Sequence, residues 1–272
     1  MRTQFLAVAG GQIAYDDTQT GRALVVLAPG FGDTRRSYRF LRPAVAGAGY
    51  RVVTMDLRGH GETTAPWRDY TQTAIGLDLV DLLRHLDTGP AVLVGNSYAA
   101  GAVVWAAAQA PALIAGIVPI GGFLRRPRNS ITGRLLLLLA TRYVRVWCAC
   151  YGYAHRTAKP ADLAVYRASL AAKLREPGRR EAMAAMAYSP AREGQRWASM
   201  VDCPALVIMG TKDPAFPDPT AEATLQARLL NCPVHLIDGA GHYPQSEFPD
   251  HTAAILLPFL SQALGAPVPQ GT

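Results

Sequence analysis

Cysteine is scarce: Cys148, Cys150, Cys203 and Cys232 are the four in 272 residues, too few and too scattered for a disulfide framework or paired CxxC zinc sites. Free thiols in a reducing, cytoplasmic compartment are the expectation. Cys203 and Cys232 each precede a proline at the start of an expected strand, which leaves one conceivable bridge. Long apolar runs are missing too. No charged residue stands between Asp87 and Arg125, yet Pro90, Gly95-Asn96-Ser97, Pro111 and Pro119 interrupt that stretch. Its pieces are shorter than the roughly 20 apolar residues of a spanning helix, so no transmembrane segment is expected. The apolar run 5–9 is stopped by Gly10-Gly11 and is shorter than a signal-peptide core, so the N-terminus reads as mature sequence. There is no GxxxxGK(S/T) phosphate loop, no GxGxxG opening a helix and no zinc-type cluster. Nucleotide, dinucleotide and metal cofactors are therefore disfavoured, and none is expected. Repeats and low-complexity tracts are absent, apart from a polar-poor tail at 265–272 that should fray.

What remains is a chain able to bury a large core: 50% of its residues are hydrophobic and 17% charged. Segments 5–9 and 12–15 flank Gly10-Gly11 and predict an antiparallel hairpin. Short apolar runs at 24–28, 51–55, 91–94, 114–120, 205–209 and 234–237 read as buried parallel strands. The clearest helix is 73–86, where Ile75, Leu79, Leu82, Leu83 and Leu86 recur at three- and four-residue steps. Strands alternating with helices predict an α/β fold, a mostly parallel central sheet with helices on both faces and the hairpin at its edge. The alternation lapses at 121–200, where 134–153, 161–174 and 179–188 read as helices without strands. We expect a core domain of residues 1–120 and 201–272 with a helical insertion at 121–200. That insertion holds 15 Lys and Arg against 4 Asp and Glu, while the rest holds 12 against 16, so the net +7 of the chain belongs to it.

The segment Gly95-Asn96-Ser97-Tyr98-Ala99 joins an expected strand to an expected helix. A strand, Gly-x-Ser-x-small and a helix make a nucleophile elbow, a turn so tight that its flanking residues must be small. A serine hydroxyl needs a base, and the base an orienting acid. After 205–209 comes Gly210-Thr211-Lys212-Asp213-Pro214, and after 234–238 comes Gly239-Ala240-Gly241-His242-Tyr243. Both loops leave carboxyl ends of expected strands, in the order Ser, Asp, His.

With Pro29-Gly30-Phe31-Gly32 and Asp56-Leu57-Arg58-Gly59-His60-Gly61, these segments make five ordered matches. The chain resembles the α/β-hydrolase superfamily over essentially its full length. The resemblance implies a Ser97 nucleophile, a His242 base, an Asp213 acid, and a helical cap inserted after the sixth strand. It further implies an oxyanion hole from the backbone N–H groups of Phe31 and Tyr98. The sequence departs from the family in having Pro29-Gly30 for the common His-Gly pair, which alters the anchor of that loop, and Ala99 for the usual second glycine. A serine nucleophile argues against haloalkane dehalogenases and epoxide hydrolases, which resemble this family but use aspartate there.

The implied activity is hydrolysis of a carboxylic ester or lactone of a largely apolar small molecule through an acyl-enzyme. Thioester hydrolysis, carbon–carbon bond hydrolysis and perhydrolysis share the triad, and some family members only bind ligands. Asp218 and Asp238 compete with Asp213 but sit less well relative to their strand ends. His60 reads as a structural hydrogen-bonding group, and His85, His155, His235 and His251 lack any paired ligand spacing. Phe123, just after the sixth strand, is a pocket candidate, and Tyr143, Trp147, Tyr151 and Tyr153 with Leu135 to Leu139 either line the same pocket or pack the insertion itself. The basic insertion is either a solvated face or a recruiter of an anionic substrate, an acyl carrier or an anionic membrane surface. Its arginines follow no nucleic-acid motif, so no nucleic-acid partner is expected.

Overall fold

The computed structural model describes residues 2–21, 23–125, 131–189 and 194–265. The expected fraying at 266–272 and parts of the insertion, 126–130 and 190–193, lie outside the described residues. Eight strands run in chain order as β1 (Gln4–Val8), β2 (Gly11–Asp17), β3 (Leu24–Ala28), β4 (Arg51–Met55), β5 (Ala91–Asn96), β6 (Ile114–Ile120), β7 (Val207–Gly210) and β8 (Val234–Ile237). Around them lie α1 (Leu41–Gly47), α2 (Gln72–Leu86) and α3 (Ala99–Gln109), and after the insertion α9 (Pro219–Leu230), α10 (Pro244–Glu247) and α11 (Pro249–Leu264). Between β6 and β7 come α4 (Ile131–Arg142), α5 (Val144–Ala154), α6 (Leu163–Leu174), α7 (Arg179–Tyr188) and α8 (Gly194–Ala198).

The strands form one sheet in the order β1-β2-β4-β3-β5-β6-β7-β8. β1 and β2 pair antiparallel, as do β2 and β4, and the remaining pairs are parallel. The alternation of side chains along each strand divides the core in two. Val26 and Leu93 pack on one face with Ile75 and Leu79, whereas Val25, Leu27, Val92 and Val94 pack on the other with Leu256 and Leu260. Both faces are therefore covered, which is why these strands read as continuous apolar runs.

The structure shifts several expected boundaries. The hairpin turns at Ala9-Gly10, with Val8 opposite Gly11 and Gly10 in the left-handed region at φ 98°, so Gly11 already belongs to β2. β7 begins at Val207, and Ala205 contributes only an isolated bridge to Ile117. The helix expected at 134–153 is two helices broken at Tyr143, whose backbone is extended (φ −125°, ψ 114°). All four cysteines are free, so the conceivable Cys203–Cys232 bridge does not form. Among the described residues no helix is long and apolar enough to cross a membrane.

The Asp56-to-Gly61 segment is a structural knot. The buried Asp56 carboxylate accepts the Arg35 N–H at 2.7 Å and the Glu62 N–H at 2.9 Å and pairs with the Arg35 guanidinium. Arg58 binds Asp78 through Nε at 2.5 Å and Nη2 at 2.9 Å, and its guanidinium lies 4.6 Å from the Trp67 ring centre. His60 is buried and donates from Nδ1 to the Arg58 carbonyl at 2.8 Å.

Burial drives the His60 imidazole down to about 4, and burial does the same to His155. Both folded-state values lie below the ordinary 6.5, so between them the unfolded chain binds more protons than the native one. Their stabilisation is complete above pH 6.5 and is lost as pH falls toward about 4. Burial raises the carboxyls of Asp78 (to about 6), Asp33, Asp56 and Glu247, which act in the opposite sense as pH falls. The histidine share is therefore read by difference: the melting-temperature gap between wild type and His60→Gln should shrink from pH 6.5 toward about 4, and a gap independent of pH would contradict the assignment.

Candidate active site

The site lies beyond the carboxyl ends of the parallel strands, where ligands of such sheets collect. Ser97 follows β5 with φ 56°, a left-handed conformation that costs a non-glycine residue about 1–2 kcal/mol. Its surroundings hold it there. The Ser97 N–H donates to the Ile120 carbonyl at 2.9 Å, and the Phe123 N–H donates to the Ser97 carbonyl at 3.1 Å. The Asn96 side-chain amide donates to the Ile120 carbonyl at 3.0 Å and the His242 carbonyl at 3.2 Å, tying the serine turn to the histidine loop. The flanking residues are small for a visible reason. A Cβ on Gly95 would lie 2.7 Å from the Ala99 carbonyl oxygen, and one on Gly30 would lie 2.8 Å from Ser97 Cβ. The contact at Gly95 is with the backbone of Ala99, so the methyl group of Ala99 is compatible with the turn.

Ser97 Oγ is 2.8 Å from His242 Nε2, and His242 Nδ1 is 2.7 Å from Asp213 Oδ2. Because a carboxylate only accepts, Nδ1 carries the proton, and Nε2 presents its lone pair to the serine O–H. The second Asp213 oxygen accepts the Ala215 N–H at 2.9 Å. Ser97, Asp213 and His242 are all buried. The rival acids are engaged elsewhere: Asp218 caps α9 through the Ala221 N–H at 2.9 Å, and Asp238 accepts from Thr211 Oγ1 at 3.0 Å. Among the described residues, neither the Phe31 nor the Tyr98 backbone N–H has an acceptor within the protein.

Above Ser97 is a cavity of about 320 Å³ with mostly apolar walls. Phe31, Phe123, Trp147 and Tyr151 line it, and the sequence-expected Tyr143 does not: it stands 55% exposed at the break before α5. Phe123 packs against the His242 and Phe216 rings at centroid distances of 5.8 and 4.8 Å. Leu136 and Leu137 of α4 and Tyr153 of α5, also expected from the sequence, line it as well, and Arg125, which pairs with Glu222 at 2.7 Å, completes a wall that sequence reasoning did not find. Among the described residues no group of three or more His, Cys, Asp or Glu side chains converges as a metal site would require.

The Phe31 loop is hydrogen-bonded to the insertion. Trp147 Nε1 donates to the Gly32 carbonyl at 3.0 Å, Tyr151 O–H donates to Asp33 Oδ2 at 3.1 Å, and Tyr166 O–H donates to Asp33 Oδ1 at 2.6 Å. Burial raises the Asp33 carboxyl above the usual range, and the tyrosine donors work against that rise. The other end of α5 holds the histidine loop: the His242 N–H donates to the Ala154 carbonyl at 2.9 Å. The buried Glu247 carboxylate accepts the Gly241 and Arg156 N–H groups, both at 2.7 Å. These residues carry no local sequence signal, since their partners lie up to 133 positions away.

Residues 25–255 match the family model described as Alpha/beta hydrolase family. The chain belongs to the α/β-hydrolase family. An epoxide hydrolase of Caballeronia sordidicola is 31% identical over 141 residues, 47% of this chain and 43% of that protein. A probable esterase of Oryza sativa subsp. japonica is 24% identical over 87% of this chain and 90% of that one. The chain spans less than half the length of the first curated relatives it matches. Among solved structures, a thermophilic esterase from Thermogutta terrifontis superposes with a TM-score of 0.82 at 24% identity, covering 97% of this chain and 100% of that one.

Tyr166→Phe removes the shorter tyrosine donor to a fully buried carboxylate whose Oδ1 then keeps the Thr34 N–H, and a hydrogen bond to a charged group contributes about 1.5–3 kcal/mol. Chemical denaturation should show that loss, and Tyr151→Phe a smaller one in keeping with its longer bond. Unchanged stability in both would mean that Asp33 does not anchor this loop.

Proposed function

We propose that this α/β-hydrolase is a cofactor-free serine hydrolase that cleaves a carboxylic ester or lactone of a largely apolar small molecule. One observation carries the reading: the continuous hydrogen-bonded chain from Ser97 through His242 to Asp213 at the floor of an apolar cavity. In this reading residues 121–200 form the cap over a core of 1–120 and 201–272. The free cysteines support a reducing, cytoplasmic setting.

The substrate carbonyl sits above Ser97 Oγ. As Oγ attacks, His242 Nε2 takes its proton, and Asp213 stabilises the imidazolium through the Nδ1–H bond. Negative charge develops on the carbonyl oxygen, where the free N–H groups of Phe31 and Tyr98 receive it. His242 then protonates the leaving alkoxide, the alcohol departs, and an acyl-Ser97 ester remains. Water enters, gives a proton to Nε2 and attacks the acyl carbon; as the Oγ–acyl bond breaks, the His242 imidazolium returns that proton to Oγ, releasing the acid and restoring Ser97. Epoxide opening is a poorer fit, because the turn carries a serine and not a carboxylate. Among the cavity walls, the aromatic and leucine side chains favour an apolar acyl or alcohol group, with the Arg125–Glu222 pair at one side.

Turnover of p-nitrophenyl esters of increasing acyl length tests this. Ser97→Ala and His242→Ala should each lower kcat by at least about 10⁴-fold, with Asp213→Ala costing less. Wild-type rates retained by Ser97→Ala would remove the reading, and a loss seen with Asp238→Ala but not Asp213→Ala would reassign the acid.

A further inference from the structure

Helix α4 is apolar on two opposite sides. With 3.6 residues per turn, Gly133, Leu136, Leu137 and Ala140 share one side, and all four line the cavity. Ile131, Leu135 and Leu138 share the other. They are 86%, 55% and 53% exposed, and among the described residues none of them belongs to an apolar cluster. An apolar helix stripe normally faces a core. The outward stripe of α4 faces none among the described residues.

The rim of the exposed stripe is basic. Arg134 and Arg142 on α4 and Arg145 at the start of α5 are exposed, the sequence has no Asp or Glu from 88 to 161, and Glu181 of the adjacent α7, which lies near Arg142, is itself paired with Arg180 at 3.2 Å. We propose that the outward face of α4 seats the protein on an anionic lipid surface, its leucines entering the boundary between headgroups and acyl chains and its arginines meeting the headgroup charge. A second copy of the chain is a poorer occupant, because stacking two such faces would oppose Arg134, Arg142 and Arg145 with their equals. An acidic protein partner would use the arginines and leave the leucines in water. Lipid satisfies both, and a molecule dissolved in it would then be separated from the cavity by the thickness of α4 alone.

The docking surface is independent of the chemistry proposed for Ser97, and its test needs no turnover. Sedimentation with vesicles of phosphatidylcholine, with and without an equal part of phosphatidylglycerol, is compared for the wild type, Leu135→Ser/Leu138→Ser and Arg134→Glu/Arg145→Glu. The substituted side chains are exposed and outside the cavity walls, so circular dichroism should be unchanged. The wild type should sediment with the anionic vesicles, weaken with salt and stay largely in the supernatant with phosphatidylcholine alone. Each variant should partition at least about tenfold less. The proposal is overturned if the wild type ignores anionic vesicles. It is equally overturned if the leucine variant binds as well as the wild type, which would mark a purely ionic surface, or if the leucines instead drive self-association in sedimentation velocity. Loss of esterase activity in an otherwise lipid-binding wild type would count against the Ser97 chemistry and not against the docking face.

Discussion

The geometry of the candidate site depends on one backbone turn. Ser97 adopts a left-handed conformation between β5 and α3, and the turn closes so tightly that Gly95 and Gly30 leave no room for a side chain. Local strain of this kind persists only where the surroundings over-determine it. Here they do so through the backbone of β6, which takes the Ser97 N–H, and through Asn96, which bridges to the histidine loop. The sheet is thus a frame that lifts one hydroxyl to its carboxyl edge and brings an imidazole to 2.8 Å from it.

The helical insertion does more than cover that edge. Helix α5 grips two catalytic-side loops at once, the Phe31 loop through Trp147 and Tyr151 and the His242 loop through the Ala154 carbonyl. Tyr166 of α6 adds the shortest bond to Asp33. In this arrangement the loop that would face the oxyanion is held from above by the insertion. Roof and floor are one mechanical unit, and a disturbance in α5 should be felt at Phe31 and His242 together.

Much of this was legible in the residues. The strands were readable because burial on both faces forces unbroken apolar runs, and the order of Ser97, Asp213 and His242 could be placed at strand ends before any coordinates. Local boundaries were less so: the extended backbone at Tyr143 has no proline or glycine to announce it, and it is what turns Trp147 inward and leaves Tyr143 outside the cavity. Asp33, Tyr166 and Glu247 were invisible for a different reason. Each acts through partners brought near by topology alone, and a buried carboxylate is not distinguishable in sequence from a surface one. The basic charge of the insertion was countable, whereas the two-sided apolar character of α4 became meaningful only when one side was seen to face the cavity.

The central claim is that Ser97 is chemically activated, and intact-mass measurement after exposure to a fluorophosphonate tests it without knowledge of the substrate. A single adduct on the wild type that disappears in Ser97→Ala is the predicted result. A folded wild type that takes no adduct, or a Ser97→Ala protein that takes as much, would contradict the account.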